Sequence, residues 1–156
     1  MTKILLSLHV LAAIVAVGPV TVAASMFPPA VRRAQMGGGG ADAVGTVRLL
    51  HRICRVYAGI GMAVPVFGFA TASVMGVLGD AWLIASIALT AAAAGVLVAL
   101  VLPRQEALLT AVDGDGPTTA PPHRPAQLAM FTGLFNLLWA TVTILMIIRP
   151  GSTTGA

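Results

Sequence analysis

The chain has 156 residues, of which 58% are hydrophobic and only 9% charged, and its mean hydropathy is +0.95. A soluble domain carries about 25% charged residues, so this composition excludes a soluble globular protein, and it excludes a disordered chain, which needs low hydrophobicity. The net charge of +4 comes from arginines beside apolar segments rather than from a basic stripe with interleaved aromatic residues, which indicates a lipid bilayer and no nucleic acid as partner.

Four apolar segments are each long enough to cross the hydrocarbon core of a bilayer, which takes about 20 residues of α-helix. Apart from Arg55 they contain no charged side chain, and they lack the alternating pattern of β-strands. We therefore predict a single all-α domain over residues 1–156, an integral membrane bundle of four transmembrane helices at about 4–26, 53–78, 81–102 and 128–148.

The first segment also permits a second interpretation. Lys3, the apolar run and the small residues Val22-Ala23-Ala24 resemble a secretory signal peptide with its cleavage site. The run is about 20 residues long, more than the usual 7–15 of a signal peptide, and Arg32-Arg33 follow it as a stop-transfer flank. We expect it to remain as a membrane helix, while cleavage stays open and would leave three spans.

The connections between the segments differ in length and composition. Residues 27–52, with Pro28-Pro29 and a run of glycines, and residues 103–127, also rich in glycine and proline, predict irregular surface loops. The second and third segments are joined by a tight turn at Gly79-Asp80, and Asp80 is a natural N-cap for the third helix.

The basic residues predict the orientation of the chain in the membrane, because cytoplasmic loops are enriched in Lys and Arg. The opposite side carries only Lys3 and Arg149, so both long loops are expected in the cytoplasm and both termini outside. The preference for arginine over lysine and the abundance of alanine and glycine are typical of a high-GC bacterium, which places the protein in the bacterial cytoplasmic (inner) membrane. The basic residues on the loop side are Arg32, Arg33, Arg48, Arg52, Arg55, Arg104 and Arg124.

Small residues recur at four-residue spacing on the second and third helices. This spacing lets helix backbones approach closely. It predicts packing between these two helices, or an interface with another membrane protein or a second copy of the chain. The residues are Gly61, Gly68, Ala72 and Gly76 on the second helix and Ala91, Gly95 and Ala99 on the third.

The fourth segment places an amide and an indole deep in the membrane. Asn136 lies near the middle of the bilayer, where an unpaired amide is costly, so we expect it to point inward or into another subunit. Trp139 is too deep for the interfacial tryptophan belt and is expected to fill the bundle interior or to contact a partner.

His9 is the histidine that lies clearly inside an apolar segment. One interpretation is an imidazole hydrogen-bonded to a neighbouring helix. The other is an axial ligand to haem, or a contact to a metal or quinone. No carboxylate lies within the apolar segments, and no catalytic triad, phosphate-binding glycine motif or metal-ligand spacing is present in the sequence. These absences disfavour an enzyme and a proton-coupled transporter.

Residues 8–13 (Leu-His-Val-Leu-Ala-Ala), followed by Val-Gly-Pro at 17–19, resemble a motif of the first membrane helix in a bacterial family. This family comprises uncharacterised small four-helix integral membrane proteins, with a looser similarity to CopD-like copper-resistance and HemJ-like haem-pathway membrane proteins. In HemJ-like proteins the histidine of the first helix is a haem ligand. The resemblance therefore implies His9 in that role and haem as a cofactor.

Three functional hypotheses follow. The first is a non-enzymatic accessory or interaction subunit of a membrane assembly, or a homo-oligomer, favoured by the small-residue spacing and the lack of a catalytic constellation. The alternative is a haem- or metal-associated membrane redox protein that uses His9. The third is a small-solute permease, which the lack of intramembrane carboxylates disfavours.

Overall fold

The computed structural model describes residues 1–37, 40–114 and 123–151, and of these 90% are helical and none lies in a strand. Within this part of the chain, four helical stretches are long and apolar enough to cross a membrane, which confirms the predicted all-α, multi-pass plan. The elements are α1 (Thr2–Gln35), α2 (Gly40–Ile60), α3 (Ala63–Met75), α4 (Ala81–Gly95), a π-helical segment (Val96–Val101), α5 (Leu102–Asp113) and α6 (His123–Ile148).

The helices continue well beyond the predicted apolar spans at one end of the molecule. α1 has 34 residues, about 51 Å of helix at 1.5 Å per residue, whereas the hydrocarbon core is about 30 Å thick. It runs through Pro28 and Pro29 to Gln35, and α2 begins at Gly40. The prediction of an irregular loop over residues 27–52 is therefore wrong for most of that segment.

The predicted second loop, residues 103–127, differs from the structure in the same way. α5 continues as a helix to Asp113, and α6 begins at His123. Residues 115–122 of this predicted loop lie outside the described residues, as do residues 38–39 of the first loop, the tail from residue 152 and the side chain of Arg124.

We call the end built from these extensions the basic end; it comprises α1 from Phe27, α2 as far as Arg55, α5, and α6 as far as Leu128. The opposite end comprises the start of α1, α3, the Gly79-Asp80 turn and the end of α6. The basic end carries Arg32, Arg33, Arg48, Arg52, Arg55 and Arg104.

α1 occupies the centre of the bundle. It contacts α2 and α3 along one side and α6 along another, and α4 packs against α6. α5 continues the α4 helix through the π-helical segment into the basic end, where it contacts α2, α1 and α6. The hairpin neighbours α3 and α4 meet near their connecting turn, where Ala72 packs with Trp82 and Leu83.

The main apolar core extends from the middle of the bundle into the basic end. Phe27, Val31 and Leu108, all outside the predicted apolar spans, are fully buried in it. Burial of these side chains explains why the extensions are helical despite the adjacent prolines, since removing large apolar groups from water outweighs the weak local preference for irregular structure.

Asp80 occupies the predicted N-cap position of α4, with an extended backbone. Its backbone carbonyl accepts hydrogen bonds from the N–H groups of Leu83 and Ile84, each at 3.0 Å. Its carboxylate instead accepts from the Trp82 indole Nε1 at 3.0 Å. The aspartate therefore begins the helix and orients the tryptophan.

Candidate functional sites in the membrane helices

His9 lies on α1 at the opposite end and packs against α3. Its Nδ1 is 2.9 Å from the backbone carbonyl oxygen of Val64. A carbonyl oxygen only accepts, so Nδ1 donates this bond, and in the neutral ring Nε2 then carries the lone pair. The side chain is buried, with 9% of its surface exposed.

Gly68 provides the space that the His9 ring occupies. A Cβ atom added at this glycine would lie 3.0 Å from Cε1 and 3.3 Å from Nδ1 of His9. Such distances are shorter than ordinary carbon contacts, which lie near 3.5–4.0 Å. The close approach made possible by Gly68 is therefore between α3 and α1, not between α3 and its hairpin neighbour.

The other small residues singled out in the sequence have different surroundings. Ala72 is buried beside Trp82, whereas Gly76 ends α3 with a φ of +70°, a left-handed conformation that glycine adopts without strain. Gly61 lies in the break between α2 and α3, where an added Cβ would be 3.2 Å from the Ala58 carbonyl oxygen. An added Cβ at Gly95 would meet nothing within 4 Å.

A groove of about 320 Å³ lies between α1 and α6 and extends into the basic end. Each helix contributes residues at positions i, i+3, i+4 and i+7, which lie on one helical face. From α1 these are Ser25, Pro28, Pro29 and Arg32, and from α6 they are Ala129, Thr132, Gly133 and Asn136.

Two of the residues that line this groove each have a fully buried polar atom without a hydrogen-bond partner among the described residues: the Thr132 hydroxyl oxygen Oγ1 and the Asn136 amide oxygen Oδ1. Thr132 is 3% exposed. Asn136 Nδ2 donates to Ser25 Oγ at 3.3 Å, so the amide is directed toward α1. Trp139, one turn further along α6, is half-buried against the main core and stacks edge-to-face on Phe135, with ring centres 6.4 Å apart.

A polar cluster at the basic end was not identified from the sequence. Gln105 is fully buried on α5, its Nε2 donates to Cys54 Sγ at 3.5 Å, and His51 Nδ1 lies 3.3 Å from its Oε1. Val101, Gln105 and Leu108 are all buried at helical spacing. A glutamine within that apolar stripe is the signal that would have revealed the cluster.

Arginines at both ends contact aromatic rings or carboxylates. The Arg104 guanidinium lies 4.4 Å from the centre of the Phe131 ring, and Arg149 lies 5.7 Å from that of Trp82. At the basic end, Arg48 donates to Asp113 Oδ1 at 2.8 Å. These contacts tether the arginine side chains at the two ends of the helices.

Among residues 1–37, 40–114 and 123–151, no group of three or more His, Cys, Asp or Glu side chains is arranged to hold a metal ion. His9 is thus a single candidate ligand, and the α1–α6 groove is a separate polar site. No protein-family model, curated protein or solved structure matches the chain.

Proposed function

We propose that this protein is a non-enzymatic integral membrane subunit that associates with other transmembrane helices, those of a partner protein or of a second copy. The observation that carries the proposal is the open space at glycines on the outer faces of the bundle. At Gly18, Gly95 and Gly133 an added Cβ would meet nothing within 4 Å. Glycines allow close approach of a further helix, which is what drives association in lipid.

The small internal burial of the spans supports the same proposal. In the most apolar window of each candidate span only 17–22% of the residues are buried within the chain. The four helices thus leave most of their apolar surface for lipid or for further helices.

The experiment compares association of the native chain with that of a Gly95→Leu variant in membranes. We expect crosslinking to capture the associated helix in the native chain, and Gly95→Leu to reduce that capture while leaving the fold intact, because the leucine projects into open space. Val98→Leu, also on an exposed position of the same helical stretch, is the matched control. A native chain that is a monodisperse monomer in detergent, with no crosslinked partner in membranes, contradicts the proposal.

We further infer that the protein lies in the bacterial cytoplasmic membrane, with the basic end in the cytoplasm and both termini outside. Support comes from the six described arginines of the basic end and the positive-inside rule. In intact cells, a membrane-impermeant maleimide should label Asp80→Cys, which lies outside in this orientation, but not Gly37→Cys, which lies on the cytoplasmic side. The native Cys54 is buried and should not contribute to the labelling. Labelling of Gly37→Cys and not of Asp80→Cys would show that the chain has the opposite orientation.

A haem- or metal-associated redox protein is the second candidate function, favoured by the hydrogen bond from His9 to Val64. Metal-ligating histidines generally donate a hydrogen bond from the N–H of their other ring nitrogen to a carbonyl or carboxylate. His9 donates such a bond from Nδ1 to the Val64 carbonyl, which leaves Nε2 for a metal. His9 would hold the haem or metal, and the bound group would carry electrons.

An absorption spectrum after expression with added haem tests this candidate. We expect a Soret band that is lost in His9→Ala and kept in His51→Ala, whose ring contacts Gln105 at the basic end. A spectrum without the band, or a band unchanged in His9→Ala, contradicts it.

A further inference from the structure

Three arginines follow one another along the exposed side of α2, and we call them the arginine stripe: Arg48, Arg52 and Arg55. Their spacing of four and then three residues brings them onto one face of the helix, one turn apart. All three side chains are exposed. The residues of α2 that are buried in the core, among them Leu50 and Cys54, lie on the other side of the helix. The arginine stripe therefore faces away from the bundle.

The arginine stripe carries more positive charge than the described chain neutralises. Arg48 donates to Asp113 of α5, whereas neither Arg52 nor Arg55 forms a salt bridge with a carboxylate of the described residues. Glu106, which is exposed on α5, is not paired with them either. Like charges three or four residues apart on a helix repel one another, so an anion bound beside Arg52 and Arg55 would relieve this repulsion.

Arg52 and Arg55 lie where α2 enters the apolar part of the second span. The apolar segment begins at about residue 53, so Arg55 is in its first turn. Arginines near the ends of membrane helices extend their guanidinium groups into the headgroup layer, which is roughly 5–8 Å thick on each side of the hydrocarbon core. The two residues are about 4.5 Å apart along the helix axis. Both guanidinium groups therefore reach the layer in which lipid phosphates lie.

The same face of α2 becomes open and apolar one turn deeper in the span. Gly59 follows Arg55 by four residues, and a Cβ atom added there would meet nothing within 4 Å. Val56 and Ile60 flank this position and are 50% and 44% exposed. The surface thus changes from cationic to apolar along the helix, in the order in which a phospholipid changes from phosphate to acyl chain. A soluble acidic segment would match only the arginines.

We propose that the arginine stripe binds an anionic phospholipid, with the phosphate beside Arg52 and Arg55 and an acyl chain over Gly59. A guanidinium binds a phosphate through two parallel hydrogen bonds. A headgroup with net negative charge, as in phosphatidylglycerol, fits better than a zwitterionic one, which would bring a further cation beside Arg48. The site lies on α2 and is independent of the glycines that carry the proposed helix association.

Native mass spectrometry of the full chain in nonionic detergent, titrated with phosphatidylglycerol, tests the proposal. We expect Arg55→Gln to weaken binding about five- to tenfold, the loss typical of one charge-assisted contact. Arg33→Gln is the matched control, because it removes the same charge from an exposed arginine of the basic end that lies on α1, outside the arginine stripe. Equal losses in the two variants would reduce the effect to general electrostatic attraction and overturn the site.

A second pair of variants tests the position of the acyl chain. Gly59→Leu fills the open space below Arg55 and should weaken phosphatidylglycerol binding at least threefold. Gly95→Leu also projects into open space but lies on α4, so it should leave lipid binding unchanged while it disturbs helix association. The two proposals therefore fail separately. Unchanged binding in Gly59→Leu overturns the assigned position, and thermal unfolding of each variant establishes that it is folded.

Further titrations separate a lipid from other occupants. Phosphatidylcholine, whose headgroup has no net charge, should bind at least tenfold more weakly than phosphatidylglycerol, and millimolar inorganic phosphate should not displace bound phosphatidylglycerol. Equal binding of the two lipids overturns the proposed headgroup, and displacement by inorganic phosphate assigns the arginine stripe to a free anion. If Arg55→Gln reduces crosslinking to another helix and leaves lipid binding unchanged, the arginine stripe belongs to a protein partner instead.

Discussion

At the basic end the helices meet through the large main core of apolar side chains, whereas at the opposite end a smaller apolar cluster is joined by a close, hydrogen-bonded contact between α1 and α3. Phe27, Val31 and Leu108 are fully buried at the basic end. At the opposite end the His9 ring lies beside Gly68, and Ala72 packs with Trp82 and Leu83.

The difference follows from the surroundings of each end. The extensions of the basic end lie beyond the apolar spans, so burial of phenylalanine or leucine there removes apolar surface from water and stabilises the fold by about 1.5–3 kcal/mol per side chain. Within the bilayer, lipid tails solvate such side chains as well as a neighbouring helix does, and close backbone approach and hydrogen bonding decide which helices meet. One chain thus uses both packing rules.

The largest effect is expected at the basic end. Phe27→Ala should lower the free energy of unfolding by about 3–5 kcal/mol, because it leaves a cavity in the main core. Met26→Ala, at the neighbouring and 52% exposed position, should change it by less than about 0.5 kcal/mol. Unfolding by sodium dodecyl sulfate in mixed micelles measures both, and equal losses would mean that burial of Phe27 in the main core is not what stabilises the basic end.

The opposite end should be sensitive to added volume. Gly68→Ala should lower the free energy of unfolding by about 1–3 kcal/mol, since the new Cβ would lie 3.0 Å from His9 Cε1. Gly95→Ala, in open space, should be neutral or stabilising by up to about 1 kcal/mol, because alanine favours the helix. The same unfolding assay measures both, and a tolerated alanine at position 68 would show that the α1–α3 contact is not tight.

The polar cluster of the basic end should contribute less than its apolar core. Gln105→Leu removes the partners of His51 Nδ1 and Cys54 Sγ and should cost about 1–2 kcal/mol of unfolding free energy. Glu106→Leu makes the same replacement at the next, exposed position and should be nearly neutral. A stabilising Gln105→Leu would mean that the cluster serves a purpose other than stability.

The smallest effect is expected for the ion pair between Arg48 and Asp113, whose side chains are 63% and 33% exposed. Arg48→Gln should cost about 0.2–1 kcal/mol at low ionic strength, and molar salt should remove the difference. Arg52→Gln, an exposed arginine of the same helix, serves as control for the loss of one charge. A loss that persists in molar salt would point to packing of the Arg48 stem.

Hydropathy alone predicted the number and approximate positions of the spans, because a run of about 20 apolar residues is a local property of the chain. The irregular loop predicted at residues 27–52 was wrong, since Pro28-Pro29 and the glycine run are local signals. The helical extension depends on burial of Phe27 and Val31 in the core that α1 shares with α2 and α5. A local sequence pattern does not show this burial, because it depends on how separate helices pack together.

The sequence by itself determined an all-α chain with four apolar helices and a cluster of arginines between them. Only the tertiary structure decided which helices meet. The spacing of Gly68 and Gly76 predicts close approach of another helix but does not identify that helix. In the structure Gly68 accommodates His9 of α1, whereas Gly76 ends its own helix. Likewise, Asn136 and Thr132 on α6 line a groove only because α6 packs against α1, where Ser25 accepts a hydrogen bond from Asn136. A helical repeat fixes the face on which a residue lies, whereas the neighbour of that face depends on how all the helices pack together.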